Sequence, residues 1–298
     1  MNALSRTAAN LYEKIVRVQN YFDSHLLLKG PKNDDLVIEI GSGDNPRPRS
    51  DILVEKFLEN SKERASHVML DDRPMICGDI HNLPFKNNAC DYVICSHLLE
   101  HLPEVGSAID ELSRIAKAGY IETPSSLSER LCGYPFHVWY VDKENSDQLI
   151  FNPKTQAIHD PQLAQQITHS YNTNEFFRLY CMTNETGLVK LHWKDQINYK
   201  VIKPVDQAVF DHADNAEEFT KPNQGKLKIF IKNIIRKIYA LNSRKLSDKD
   251  LINMLQCPIC HNDLSRMNVE YLTCKNNHRF PAQNNIYYVS KEYVANNV

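Results

Sequence analysis

Residues 36–43, LVIEIGSG, constrain this chain more than any other stretch. An apolar, β-branched run that ends on two glycines reads as a buried strand followed by a tight loop. Glycines there let backbone approach a ligand closely. Further β-rich runs follow at DILVEKF (51–57), PMICGDI (74–80) and DYVICSHLLEHL (91–102), the last turning helical near its end. EVGSAIDELSRIAK (104–117) then places Val105, Ala108, Ile109, Leu112, Ile115 and Ala116 on one helical face. Gly119 ends that helix, and YIET (120–123) reads as a fifth strand before Pro124. Apolar strands alternating with helical segments predict an α/β fold: a Rossmann-like, doubly wound parallel sheet that takes its ligand at the carboxyl ends of the strands.

The loop after the first strand, GSGDNPRP, narrows the ligand. It lacks the third glycine of the dinucleotide fingerprint, having Pro46 there. Pro46 and Pro48 push Asn45 and Arg47 toward extended backbone, so no helix starts cleanly in the loop to meet a pyrophosphate. S-adenosylmethionine carries no phosphate and needs no such helix. Acidic residues fall where an adenosyl ligand wants them. Glu55 ends the second strand, placed to accept from ribose hydroxyls. Asp79 ends the third, within reach of an adenine amino group. Glu39, just before the glycines, either faces the ligand's ammonium or orients the loop.

The order IEIGSG, GDIHNLPF, CDYVICSHLLEHL, ELSRIAKAGYIETPS resembles the class I S-adenosylmethionine-dependent methyltransferases of the broad methyltransferase-11 type, over roughly residues 35–140. GSGDNPRPRSDILVEKF is similar to a subgroup with a shortened first crossover, many members of which are bacterial surface-polysaccharide and natural-product enzymes. The resemblance implies a cofactor pocket lined by Gly41, Ser42, Gly43, Glu55, Asp79, Ile80, Ser96 and His97.

Methyl transfer to a hydroxyl or amine needs positioning and a group to take up a proton. Histidine suits the second task near neutral pH. His97 and His101 follow the fourth strand and share a face if that segment is helical. His137 lies in the aromatic stretch YPFHVWY, placed to cover an acceptor. The structural alternative for each is a hydrogen-bonded histidine with no chemical role. The chain has no NPPY-like tetrapeptide and no Pro-Cys pair in its first half of the kind used on nucleic-acid bases.

Cys257, Cys260, Cys274 and His278 have the spacing C-x2-C-x13-C-x3-H, which suits a closed, structural tetrahedral zinc site. The surrounding run is similar to zinc ribbons of rRNA guanine methyltransferases and of tRNA methyltransferase activators, which would imply RNA. Yet residues 246–298 carry five Lys/Arg and five Asp/Glu, and RNA-binding modules are usually basic. The basic charge lies just before, in GKLKIFIKNIIRKIYALNSRK. Leu227, Phe230, Ile231, Ile234, Ile238 and Leu241 form one stripe of that helix. Residues 226–245 therefore meet an anionic membrane surface, meet RNA, or dock on the core.

Three parts are expected: a methyltransferase domain with an N-terminal helix and an insertion (1–220), a basic helix and linker (221–250), and a small C-terminal zinc ribbon (251–298). The remaining scattered cysteines read as buried free thiols of a reducing compartment. The N-terminus lacks the pattern of a signal peptide, and a cytoplasmic protein, peripheral at the membrane under one reading of the basic helix, is expected. The expected activity is S-adenosylmethionine-dependent methylation, on oxygen, of a small-molecule or glycan acceptor, lipid-linked under one reading. An RNA methyltransferase that grips its substrate with the ribbon is the alternative, and a non-catalytic scaffold a third. The oligomeric state is left open.

Overall fold

A computed structural model describes residues 11–12, 14–16, 28–59, 67–134, 136–145, 147–154, 161–174, 176–177, 180–181, 187–206 and 244–294. The basic helix expected at 224–243 and most of the N-terminal helix expected at 3–28 lie outside them; residues 11–12 and 14–16 are helical. Among the described residues no helix is long and apolar enough to cross a membrane.

Five strands form the parallel heart of the protein: β1 (Val37–Ile40), β2 (Ile52–Glu55), β3 (Met75–Cys77), β4 (Cys90–Ser96) and β5 (Ala116–Pro124). They lie in the order β3-β2-β1-β4-β5, so the chain reverses direction across the sheet between β1 and β4. The crevice at that reversal is where such sheets bind ligands. The β1–β2 crossover, residues 41–51, contains no helix, as its two prolines lead one to expect. Helix α1 (Val105–Ile115) buries Val105, Ala108, Ile109, Leu112 and Ile115 of the face predicted for it, but it ends sooner than expected: Ala116 and Gly119 already belong to β5. Burying five such side chains contributes roughly 1.5–3 kcal/mol for each large one.

β8 (Leu188–Lys194) closes one edge of the sheet, antiparallel to β5. Between β5 and β8 run helix α2 (Ser126–Cys132), β6 (Trp139–Glu144), β7 (Gln148–Pro153) and helix α3 (Pro161–Thr173). β6 and β7 join β9 (Asn198–Val201) in a separate three-stranded sheet. This is the expected insertion. Its Trp139 and Phe151 are buried in the main core, and the Trp139 indole donates to the Leu102 carbonyl at 2.7 Å.

Gly119 in β5 has a specific steric reason. A Cβ there would stand 2.5 Å from the Val93 carbonyl oxygen and 2.6 Å from Trp193 Nε1. Gly119→Ala is expected to lose about 1–3 kcal/mol through this overpacking, read as a lower denaturation midpoint at unchanged slope.

The C-terminal ribbon is not a separate bead. It comprises α4 (Asp248–Met254), β10 (Leu264–Arg266), β11 (Tyr271–Cys274), β12 (Arg279–Gln283) and β13 (Ile286–Tyr288). β13 pairs in parallel with β3, with Tyr287 opposite Ile76, and extends the central sheet to ten strands. Phe85 bridges Leu255, the Asn82 amide donates to the Pro258 carbonyl at 2.8 Å, and Leu251, Leu255, Phe280 and Val289 join the main core.

Candidate cofactor and acceptor site

The glycine loop leaves β1 with Gly41 at φ +71 and Gly43 at φ +58. Both values lie in the left-handed region, where a side chain is strained. A Cβ at Gly43 would meet nothing within 4 Å, so this backbone borders open space. Glu55 at the end of β2 reaches back to the loop, accepting from the Gly43 amide and, at 3.3 Å, from the Ser42 hydroxyl. Gly43, Ser42 and Glu55 therefore form one unit. Asp79 follows the neighbouring strand β3. It accepts from the His81 amide at 3.0 Å, from His81 Nδ1 at 2.9 Å and from Lys56 Nζ at 2.9 Å. The His81 hydrogen bond outweighs desolvation, with Lys56 assisting, and holds the Asp79 carboxyl well below the usual range. Ile80, next to it, is buried.

Glu39 is buried and accepts from the Arg47 amide at 2.8 Å and the Ser50 hydroxyl at 2.6 Å. Of the two roles open to it, its bonds match orientation of the loop. Burial pushes its carboxyl up, against the pull of Arg47. Arg73 fastens the same loop from outside, donating to the Arg47 carbonyl at 2.7 Å and the Ser50 carbonyl at 3.1 Å.

Arg47 is the residue that sequence reasoning passed over. It is 1% exposed, with its guanidinium 5.0 Å over the Tyr120 ring. Nη2 donates to Ser96 Oγ at 2.8 Å and faces Glu122 Oε1 at 3.5 Å, but Nε and Nη1 have no hydrogen-bond partner. Ser96 thus stands at the end of β4 on the arginine that leaves β1. Glu122 was missed as well. It lies near the end of β5, opposite Ser96 at the end of β4, so the same strand-end reasoning would have found it. Desolvation opposes its charge, but the His97 hydrogen bond and Arg47 prevail and bring the carboxyl to about 2.

The three candidate histidines come together around Glu100, though not by the route expected. His97 and His101 do not share a helical face. His97 sits at φ +53, which breaks any helix, and only a single 3-10 turn, Leu99–His101, follows. His97 is half exposed and lies between two carboxylates, 3.6 Å from Glu100 and 3.3 Å from Glu122. Burial works against its charge, but those carboxylates raise it to about 10. The His101 ring stacks on Phe136 and meets His137 edge-on, with centroids 5.6 and 4.6 Å apart. Burial lowers His101 to about 4, against the opposing field of Glu100. His137 Nδ1 lies 2.7 Å from Glu129, which also accepts from Lys154 Nζ at 2.5 Å. Glu129 and Lys154 are 25 residues apart and carried no sequence signal. Beside the cluster, a groove of about 490 Å³ runs between Pro103, Val105, Trp139, Val201 and Ile202.

At the far edge of the sheet the predicted metal ligands converge. The ligand atoms of Cys257, Cys260, Cys274 and His278 all lie within 4.8 Å of one another. Cys260 and Cys274 sulfurs are 3.6 Å apart, and His278 Nδ1 is 3.4 Å from the sulfurs of Cys257 and Cys274. Tetrahedral zinc with ordinary bond lengths needs ligand separations of roughly 3.5–3.8 Å, so the donor set fits the ion.

The family profile described as "Methyltransferase domain" matches residues 53–121. These residues are similar to that methyltransferase domain family. The matched segment runs from β2 to β5. It contains Glu55, Asp79, Ser96, His97, Glu100 and His101, while the glycine loop, His137 and the candidate zinc ligands Cys257, Cys260, Cys274 and His278 lie outside it. Demethylmenaquinone methyltransferases of Staphylococcus haemolyticus (strain JCSC1435) and of Staphylococcus epidermidis (strain ATCC 12228) are each 35% identical to this chain over 65 residues, 22% of this chain and 26% of theirs. The chain thus spans about a quarter of the length of the curated relatives it matches. Among solved structures, a chain from the Haloferax volcanii complex between the Trm112 methyltransferase activator and a protein described as a methyltransferase is similar at 14% identity and a TM-score of 0.37, covering 66% of this chain and 99% of that one. A protein described as a methyltransferase of an antibiotic biosynthesis pathway in Anabaena variabilis is similar at 13% identity and a TM-score of 0.33, over 59% and 96%. Likenesses this distant set no substrate.

Proposed function

We propose that the chain is an S-adenosylmethionine-dependent methyltransferase that acts on a hydroxyl of a small-molecule or glycan acceptor. The observation that carries this reading is the run of adjacent strand ends: the glycine loop after β1, Glu55 after β2 and Asp79 after β3, with Arg47 buried beneath the loop. Gly41, Ser42 and Gly43 would hold the methionine end with Arg47 facing its carboxylate. Glu55 would take the ribose, and Asp79 with Ile80 the adenine. Ser96 and His97 would close the side toward β4. The residues fit the group, because Arg47 keeps two buried N–H groups unpartnered and Gly43 opens on space. S-adenosylmethionine supplies an electrophilic methyl; the chain's task is to bind and align it and to receive the acceptor's proton. Of the candidate histidines, His101 is held neutral and His97 charged at pH 7, so His101 is the ring able to take that proton. His137 is held by Glu129 and orients the cluster.

The relatives named for demethylmenaquinone match over 65 residues only, so the acceptor is left to the insertion and the groove beside Trp139. We assign the cysteine site a structural zinc ion, closed by four protein ligands. Calorimetric titration with S-adenosylmethionine tests the reading. The parent chain is expected to bind, and Glu55→Gln and Asp79→Asn each to bind about 10–100-fold more weakly, the worth of a hydrogen bond to a charged group. Equal affinity in all three proteins would refute the pocket as drawn.

A further inference from the structure

We propose that Glu100, His101 and His137 hold a divalent transition-metal ion beside the cofactor site. One ligand atom from each lies within 4.8 Å of the others. Zinc-like ions sit about 2.0–2.2 Å from such atoms, so the three need to close by roughly an ångström. The second observation is Glu100 itself. It is 1% exposed, and neither carboxylate oxygen has a hydrogen-bond partner. Lys154 neutralises Glu129 and Arg47 faces Glu122, but no lysine or arginine pairs with Glu100 among the described residues; its ionic neighbour is the His97 ring at 3.6 Å. The charged His97 ring offsets this carboxylate only in part, since it makes no hydrogen bond to it, and both buried oxygens are still open to a directly bound cation. The third observation is Glu129 on His137 Nδ1 at 2.7 Å. A carboxylate on one ring nitrogen fixes the tautomer and leaves Nε2 as the ligand atom, the usual outer partner of a metal-bound histidine. Two imidazoles and one carboxylate select zinc, manganese, iron or cobalt over magnesium and calcium, and three protein ligands leave positions open.

The use of the ion rests on the methyl-transfer reading: an acceptor hydroxyl bound to it would lose its proton to solvent water more readily, and His101 would then serve as ligand in place of the base role given to it in the metal-free reading. Binding of the ion does not depend on that reading. The full chain, equilibrated with Zn²⁺ and freed of excess by gel filtration, is analysed for metal per chain by atomic emission. His137→Gln and Glu100→Gln are each expected to hold one ion fewer than the parent. Glu129→Gln keeps the ligands and should bind that ion 10–100-fold more weakly. Visible absorption of Co²⁺ at the cysteine site confirms that each variant is folded. Glu100→Gln also separates the outcomes by stability. With a metal site, it abolishes the rise in melting temperature on adding Zn²⁺ that the parent shows beyond its cysteine-bound ion. Without one, added Zn²⁺ shifts the melting temperatures of parent and variant alike. Equal metal content in the parent and both ligand variants would overturn the proposal. If the extra ion binds but S-adenosylmethionine does not, the site stands and its use in methyl transfer falls.

Discussion

Removing the zinc proposed at Cys257, Cys260, Cys274 and His278, or replacing Cys274 by Ser, is expected to unfold residues 248–294 and strip one side of the central sheet. Structural zinc supplies apparent binding free energies of about 10–16 kcal/mol in small modules, while whole domains are stable by only about 5–15 kcal/mol. The ribbon's strands are three to five residues long, too short to hold alone. Because β13 pairs with β3, its loss uncovers Met75–Cys77, now at most 2% exposed, as an open sheet edge. Such an edge invites aggregation. Asp79 lies two residues beyond β3, so the cofactor site should weaken with it. Hydrogen exchange measures this directly. Chelation should abolish protection at Met75 and Cys77, whose amides face β13, as well as within the ribbon. Protection of β3 that survives in the metal-free chain would mean that the ribbon merely leans on the sheet.

The second large effect is expected at Arg47. Arg47→Met leaves Glu122 buried beside Tyr120, which donates to it at 2.5 Å, and removes one of the two cations that face it, the His97 ring at 3.3 Å being the other. Breaking a buried pair from one side costs about 3–5 kcal/mol. Affinity for S-adenosylmethionine should fall at least about 100-fold, since the unpartnered Nε and Nη1 would otherwise meet the ligand's carboxylate. The conservative change separates the two losses. Arg47→Lys keeps the charge but not the planar fork, so it should regain much of the stability and little of the affinity. The acid limb gives an independent check. Glu122 titrates near 2 in the folded chain against about 4.5 unfolded. Its contribution is therefore present above about pH 4.5 and lost as pH falls toward 2. Without Arg47 the folded value rises, so Arg47→Met should show a shallower loss over that window. Full affinity in Arg47→Met would remove this residue from the site.

Much of this architecture was legible because it is local. The strand LVIEIGSG, the helical face from Val105 to Ile115 and the cysteine spacing each announce themselves within a dozen or so residues, and each formed as expected. What stayed hidden is long-range. No periodicity tells that β13 will lie beside β3, because an edge strand's partner is chosen by shape and open hydrogen bonds across more than 200 residues. His97 looked like part of a helix because Leu98, Leu99 and Leu102 continue an apolar run; its left-handed backbone instead aims the ring at Glu122. Glu129 and Lys154 became a pair only when α2 and β7 packed together. Arg47 was visible as the residue between two prolines, but its burial depends on Glu122 and Ser96, 75 and 49 positions further on.

The proposed pocket has the ends of β1, β2 and β3 around a single adenosyl group. A crystal structure of the full chain grown with S-adenosylhomocysteine would show it. The ribose is expected against Glu55, the adenine beside Asp79 and the amino-acid carboxylate toward Arg47. Ligand density elsewhere on the molecule, with the loop at Gly43 untouched, would contradict it.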